Sequence, residues 1–232
     1  AGAQNGSLPA GGKPPAGTAD PAAAPVAIPV SDARALLALS SPDYPVTPGD
    51  LYVLSFLKGS ELSSLTLVVD GGGIVNLGVF GVLDGRGLAF PDLKRRLEEL
   101  VSRAYPGSSP LVTIRSTGAF RVLVTGEVPD SSLFPAWGLT RLSEVFAAVK
   151  TSYSSERDVR VTGPDGSART YDLFRARRDG DLSQDPLLKP GDVVRLARAG
   201  RRITVSGEVL RPGTYHLLPG EGLKDLLERY AG

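Results

Sequence analysis

The 232-residue chain has no cysteine and no methionine, and only one histidine and one tryptophan. Without cysteine there can be no disulfide, thiol nucleophile or thiolate metal ligand. The absence suits an oxidising compartment, where a stray thiol is a liability, although cysteine-free chains also occur in reducing ones. Without methionine, Ala1 is not a translational start, so processing is expected upstream of it. No apolar run approaches the roughly 18 residues that span a bilayer as a helix. An excess of either charge is missing as well: 26 Lys and Arg face 25 Asp and Glu, a formal net charge of +1. That balance argues against nucleic acid as a partner, because such domains carry a marked basic excess.

Having a single histidine narrows the chemistry further. A Ser-His-Asp triad would have to use His216, which lies in an apparent strand, Thr214 to Leu218, with no serine in a nucleophile-elbow setting. A metal centre would rest on carboxylates alone, and no Asp-x-Asp-x-Asp-Gly loop is present. Gly71-Gly72-Gly73 lacks the lysine and hydroxyl residue of a phosphate loop. No cofactor, metal or enzymatic activity is therefore expected.

Hydrophobic residues make up 41% of the chain, enough for one large core or two modest ones. Residues 1–30 are rich in Ala, Gly and Pro and nearly uncharged; they cannot offset their ordering entropy by burial and read as a disordered tail. A short helix is expected over Ser31–Leu39, capped by Ser31 or Asp32. Tyr44-Pro45-Val46-Thr47-Pro48-Gly49-Asp50 opens the ordered part with turn chemistry and leads into a strand, Leu51 to Phe56. Leu65–Val69 and Ile74–Leu77 read as a hairpin across Asp70-Gly71-Gly72-Gly73. A second turn follows at residues 84–87. The period then changes to about 3.6 residues, with Leu93, Leu97, Leu100, Val101 and Ala104 on one helical face. Asp92 is the expected cap and Tyr105-Pro106-Gly107 the stop; Leu111–Ile114 resumes a strand.

The chain then repeats itself. Arg121-Val122-Leu123-Val124-Thr125-Gly126-Glu127-Val128 returns as Arg202-Ile203-Thr204-Val205-Ser206-Gly207-Glu208-Val209. A helical stripe follows each copy: Leu142, Val145, Phe146 and Val149, then Leu223, Leu226, Leu227 and Tyr230. Pro48-Gly49-Asp50 likewise recurs as Pro190-Gly191-Asp192. Strands, one amphipathic helix and further strands imply an α+β fold, a small mixed sheet with a helix on one face.

These motifs, in this order, resemble the polysaccharide biosynthesis/export family, in which an export-signature domain precedes soluble-ligand-binding β-grasp domains. The resemblance implies a flexible tail over residues 1–43 and the signature domain over 44–117. It implies a first β-grasp domain over 118–200 and the start of a second, truncated one over 201–232. Pro212-Gly213 fits the family's turn after Gly-Glu-Val. The first copy has Pro129-Asp130-Ser131-Ser132 there instead, so its loop is expected to differ in shape. The family implies a non-catalytic export component of the periplasm, associated with the outer membrane. Its expected partners are further copies of itself in a ring, an inner-membrane polysaccharide copolymerase, and the polysaccharide. The alternative from another class is a β-grasp module that binds a soluble glycan and exports nothing.

Few side chains stand out as ligand contacts. Glu127 and Glu208 share one slot in both copies and read as strand-end residues bonding a local turn; a catalytic carboxylate pair needs two different environments. Arg175, Arg177 and Arg178, with Arg198, Arg201 and Arg202, form two basic clusters. Each reads either as a solvated surface or as a contact for an acidic sugar or neighbouring subunit. Trp137 is balanced between stacking on a sugar and folding onto the following helix.

Overall fold

The computed structural model describes Gly2 and residues 30–232, so most of the expected tail lies outside the described residues. The fold is mixed α+β. Helix α1 (Val30–Ser40) is present where a short helix was expected. It buries Ala35 and Ala38 and packs along the outer strand of the first sheet.

That sheet has three antiparallel strands in the order β2-β1-β5: β1 is Leu51–Lys58, β2 is Glu61–Val68 and β5 is Leu111–Ser116. Its partner β1 determines β2, through a tight turn at Gly59-Ser60 and a register from Lys58↔Glu61 to Leu51↔Val68. The hairpin expected across residues 70–73 is reduced to a single bridge, Val69↔Val75. The turn itself forms, because the Asp70 carboxylate accepts from the Gly72 and Ile74 amides at 2.8 Å. Strand β3 (Ile74–Asn76) pairs instead with β4 (Val82–Asp84).

Helix α2 spans Phe90–Ala104 and begins earlier than expected. Ala89 is the extended N-cap and Pro91 lies in the first turn, where its missing N–H costs nothing. Asp92 is a first-turn carboxylate rather than the cap; it pairs with Arg95 at 3.0 Å. Leu93, Leu97 and Val101 are buried against Tyr52, Leu54 and Phe56 of β1 in one hydrophobic cluster, while Ala104 is exposed.

The second sheet has five strands in the order β7-β6-β10-β8-β9. These are β6 (Ala119–Gly126), β7 (Ser132–Trp137), β8 (Ser154–Thr162), β9 (Ala168–Tyr171) and β10 (Val193–Arg198). The central pair β6–β10 is parallel and its neighbours are antiparallel. Helix α3 (Leu142–Val149) crosses one face, placing Leu142, Val145 and Phe146 against Val122, Val124, Val159, Val194 and Leu196. A third, smaller cluster belongs to β11 (Arg201–Val205), β12 (Gly213–Leu217) and α5 (Leu223–Asp225), which continues as a π-helical turn, Leu226–Ala231.

The repeat is structural as well as textual. Val124 pairs with Ser132 and Val205 with Gly213, and both partners shift by the same 81 residues. Gly126 and Gly207 both take positive φ, +92° and +97°, as L residues rarely do. After each, an amide returns to the glycine carbonyl at 2.9 Å, from Val128 and from Val209. The two connections bend at corresponding residues although only the second contains Pro-Gly, which corrects the expectation that the loops differ. The recurring Pro-Gly-Asp turns also match: the Thr47 amide donates to Asp50 at 2.9 Å and the Lys189 amide to Asp192 at 2.8 Å. Asp50 does more, since Tyr44, Tyr52 and the Gly118 amide also donate to it, tying the first sheet to the strand that opens the second. Burial pushes its pKa up, against those hydrogen bonds.

Candidate functional site

Where the second copy of the repeat docks on the five-stranded sheet, one arginine makes the most contacts. In β8, Ser155, Arg157, Val159 and Val161 share the buried phase of the strand, so the alternation drives a guanidinium inward. Arg157 is only 5% exposed, and a charge so placed must be paired. Its Nε and Nη2 donate to Asp172 Oδ2 at 3.1 and 3.0 Å. Its Nη1 and Nη2 reach Glu221 at 2.6 and 2.9 Å, and Nη1 also donates to the His216 carbonyl at 2.9 Å. Tyr230 donates to Glu221 at 2.6 Å and its ring lies 4.8 Å from the guanidinium carbon. Burial alone would raise the Glu221 pKa, but the hydrogen bonds from Arg157 and Tyr230 hold it down at about 2.

Glu221 has this position because of the repeat. In the first copy the matching residue is Thr140, whose hydroxyl accepts from the Trp137 amide at 3.0 Å. Glu221 makes the same turn contact with the Leu218 amide at 2.9 Å and has a second oxygen left for Arg157. His216 adds a further contact. Its Nε2 accepts from the Gly200 amide at 3.1 Å, which puts the proton on Nδ1, 2.9 Å from Ser155 Oγ.

Beside this junction lies a cleft of about 390 Å³, bounded by α4 (Leu173–Asp179) on one side and β12 on the other. Arg177, Arg178 and Arg211 line it, with Phe174, Tyr215 and Tyr230 forming an aromatic wall. Phe174 meets Tyr230 edge-on at 5.4 Å and Tyr215 at 6.4 Å. Two of the residues singled out in the sequence, Arg177 and Arg178, thus meet here. Arg177 is held by Glu156 at 3.0 Å, and Arg178 donates to the Tyr230 carbonyl. Arg175 points elsewhere, to Asp181 at 3.1 Å.

No protein-family model matches the chain, and no curated protein matches it. What the cleft can do must therefore be read from its own residues.

Trp137 lies away from the cleft. Half-buried, it packs 6.4 Å from Tyr44, with Arg34 5.4 Å over its ring. Glu127 and Glu208 are not alike in surroundings. Glu127 accepts from Thr151 at 3.3 Å and faces Arg198 at 3.6 Å, whereas Glu208 is exposed with no side-chain partner among the described residues. Arg198 and Arg202 both lie over the Tyr153 ring, and Arg201 donates to the Glu221 carbonyl. Among the described residues no three His, Asp or Glu side chains gather as a metal site, and no helix is long and apolar enough to cross a membrane.

Sequence reasoning missed Arg157, Asp172, Glu221 and Tyr230. One signal was available: an arginine on the same strand phase as Val159 and Val161. The partners had no such signal, because Glu221 and Tyr230 lie 64 and 73 residues further along the chain.

Proposed function

We propose that this chain is a non-catalytic, periplasmic, outer-membrane-associated component of polysaccharide export that works by assembly. One observation carries the reading: a hairpin, turn and helix recur with the same register, and the second copy docks on α4 and on β8 of the sheet that holds the first. Tandem units of this kind extend a surface rather than build a reaction centre. Residues 118–200 are read as a β-grasp domain and 201–232 as the beginning of another, with 44–117 as the export-signature domain. Two hairpins flanking a parallel central pair, with a helix between them, are the arrangement a β-grasp domain requires, and the order β7-β6-β10-β8-β9 supports that reading. The partners are further copies in a ring with head-to-tail contacts, an inner-membrane copolymerase, and the polysaccharide. Light scattering after size exclusion, on protein purified from the envelope of its source cells, tests this. A closed higher oligomer is expected. A strict monomer, together with unchanged surface polysaccharide in a deletion strain, rejects it.

The arginine-lined cleft favours a second reading, a module that holds a soluble glycan without exporting it. Wild-type oligomer size with loss of glycan binding in cleft variants would favour it over assembly alone.

A further inference from the structure

The cleft between α4 and β12 has a composition that neither docking nor folding uses up. Arg157 is consumed by Asp172 and Glu221, and Arg178 by the Tyr230 carbonyl. Arg211 is different. Its backbone is fixed, since its amide donates to the Ala231 carbonyl at 2.9 Å and its carbonyl accepts from the Tyr215 hydroxyl at 2.5 Å. Its guanidinium, by contrast, has no carboxylate partner among the described residues, although it lines the cleft. Arg177 directs one terminal nitrogen to Glu156 and keeps the other.

A planar guanidinium presents a fork of donors that matches a carboxylate. A free anion needs donors only, but this cleft holds more. Glu156 accepts on the rim, the Thr214 hydroxyl can donate or accept, and Tyr215 supplies an apolar wall. The outer edge of β12 adds backbone groups. The His216 carbonyl faces outward to Arg157, and alternation along the strand turns the Thr214 backbone the same way. Donors, acceptors and a ring around one small cavity suit a ligand that combines an anionic group with many hydroxyls.

We propose that this cleft binds a carboxylate-bearing sugar unit, its carboxylate held by Arg211 and Arg177 and its hydroxyls by Glu156, Thr214 and the β12 edge. The proposal rests on the second reading, a module that holds a glycan, and names its sugar class; binding at this site requires neither a ring nor a membrane.

Titration calorimetry and amide chemical-shift mapping on the whole chain test it, with an oligogalacturonate as ligand and a neutral cello-oligosaccharide of equal length as control. The uronate is expected to bind with a Kd of about 1 mM or tighter, to shift the Thr214, Tyr215 and Arg177 amides, and to weaken as salt rises. Arg211→Gln should weaken it about tenfold or more, and Arg211→Lys should restore only part. Arg211 is exposed, and its side chain makes no hydrogen bond or ion pair among the described residues, so the variant should fold. The proposal is overturned by no heat or shift with the uronate, by equal binding of the neutral sugar, or by unchanged uronate binding in the Arg211→Gln and Arg177→Gln variants. Acetate or phosphate binding as tightly as the uronate would also overturn it, by reducing the site to a simple anion contact. None of these results bears on oligomer size.

Discussion

The two copies of the repeat share a register but not a means of support. In the first, β6 lies between β7 and β10, and α3 closes a core in which Leu142, Val145, Val122 and Val124 are all fully buried. In the second, β11 has only β12 beside it among the described residues, and the cluster holds Leu217, Leu226 and Tyr230. The glycines show the same contrast. A Cβ on Gly126 would fall 2.2 Å from the Leu196 carbonyl oxygen of β10, while a Cβ on Gly207 would meet nothing within 4 Å. Local chemistry is thus sufficient to shape a hairpin, its turn and the helix start. Burial depends on neighbours, and where apolar neighbours are few this chain substitutes a buried ion cluster. Such a cluster is costly to break, because a lost partner strands the remaining charges.

The largest expected effect removes that substitute. Arg157→Met leaves Asp172 and Glu221 unpaired in a desolvated site, and the docking of residues 201–232 should lose about 3–5 kcal/mol. Native-state hydrogen exchange checks this: amides of β11 and β12 should lose protection while those of β6 and β10 keep theirs. Uniform loss across both copies would mean that they unfold as one unit. Second in size is a matched pair at one repeat position. Leu142 is 0% exposed and Leu223 is 62% exposed. Leu142→Ala should cost about 2–5 kcal/mol in urea unfolding, and Leu223→Ala should stay within about 0.5 kcal/mol. Equal costs would show that position in the repeat, rather than burial, sets the energetics.

Much of this contrast could be read from the sequence, and what was missed has physical reasons. The repeated strands, both Pro-Gly-Asp turns and the apolar face of α2 follow from local spacing and turn chemistry, which act over a few residues. The first half of β2 did not, because Glu61-Leu62-Ser63-Ser64 has little apolar alternation and is a strand only because β1 pairs with it. Trp137 is balanced in the sequence between a sugar and the following helix, and no local spacing indicates that Tyr44, from the segment before β1, is its neighbour. At the cleft, the run Arg175, Arg177, Arg178 suggested a basic cluster, yet no spacing indicates that Arg211 arrives beside it from the far end of the chain. Pattern reading finds elements well and convergence poorly, since convergence is decided by packing.

The smallest expected effect separates the copies by pH. His216 has no counterpart in the first copy, where Pro135 occupies the matching position. In the docked state Nε2 accepts from Gly200, and a proton there would set donor against donor. Burial, then the nearby charges of Arg157 and Arg202, lower its pKa below the usual 6.5, opposed by Asp158 and Glu221. A histidine with a lowered folded pKa binds fewer protons docked than free, so its contribution is complete above 6.5 and is lost as pH falls through that value toward the folded pKa. Glu221 follows in a lower window: its contribution is complete above 4.5 and lost as pH falls toward about 2. Exchange protection of β12 should therefore decline first below pH 6.5, while β6 stays unchanged until the carboxylates titrate. His216→Gln should remove the upper step and leave the lower one. A β12 protection profile that stays flat from pH 7 to 5 in the wild-type chain would show that the histidine merely fills space at the junction.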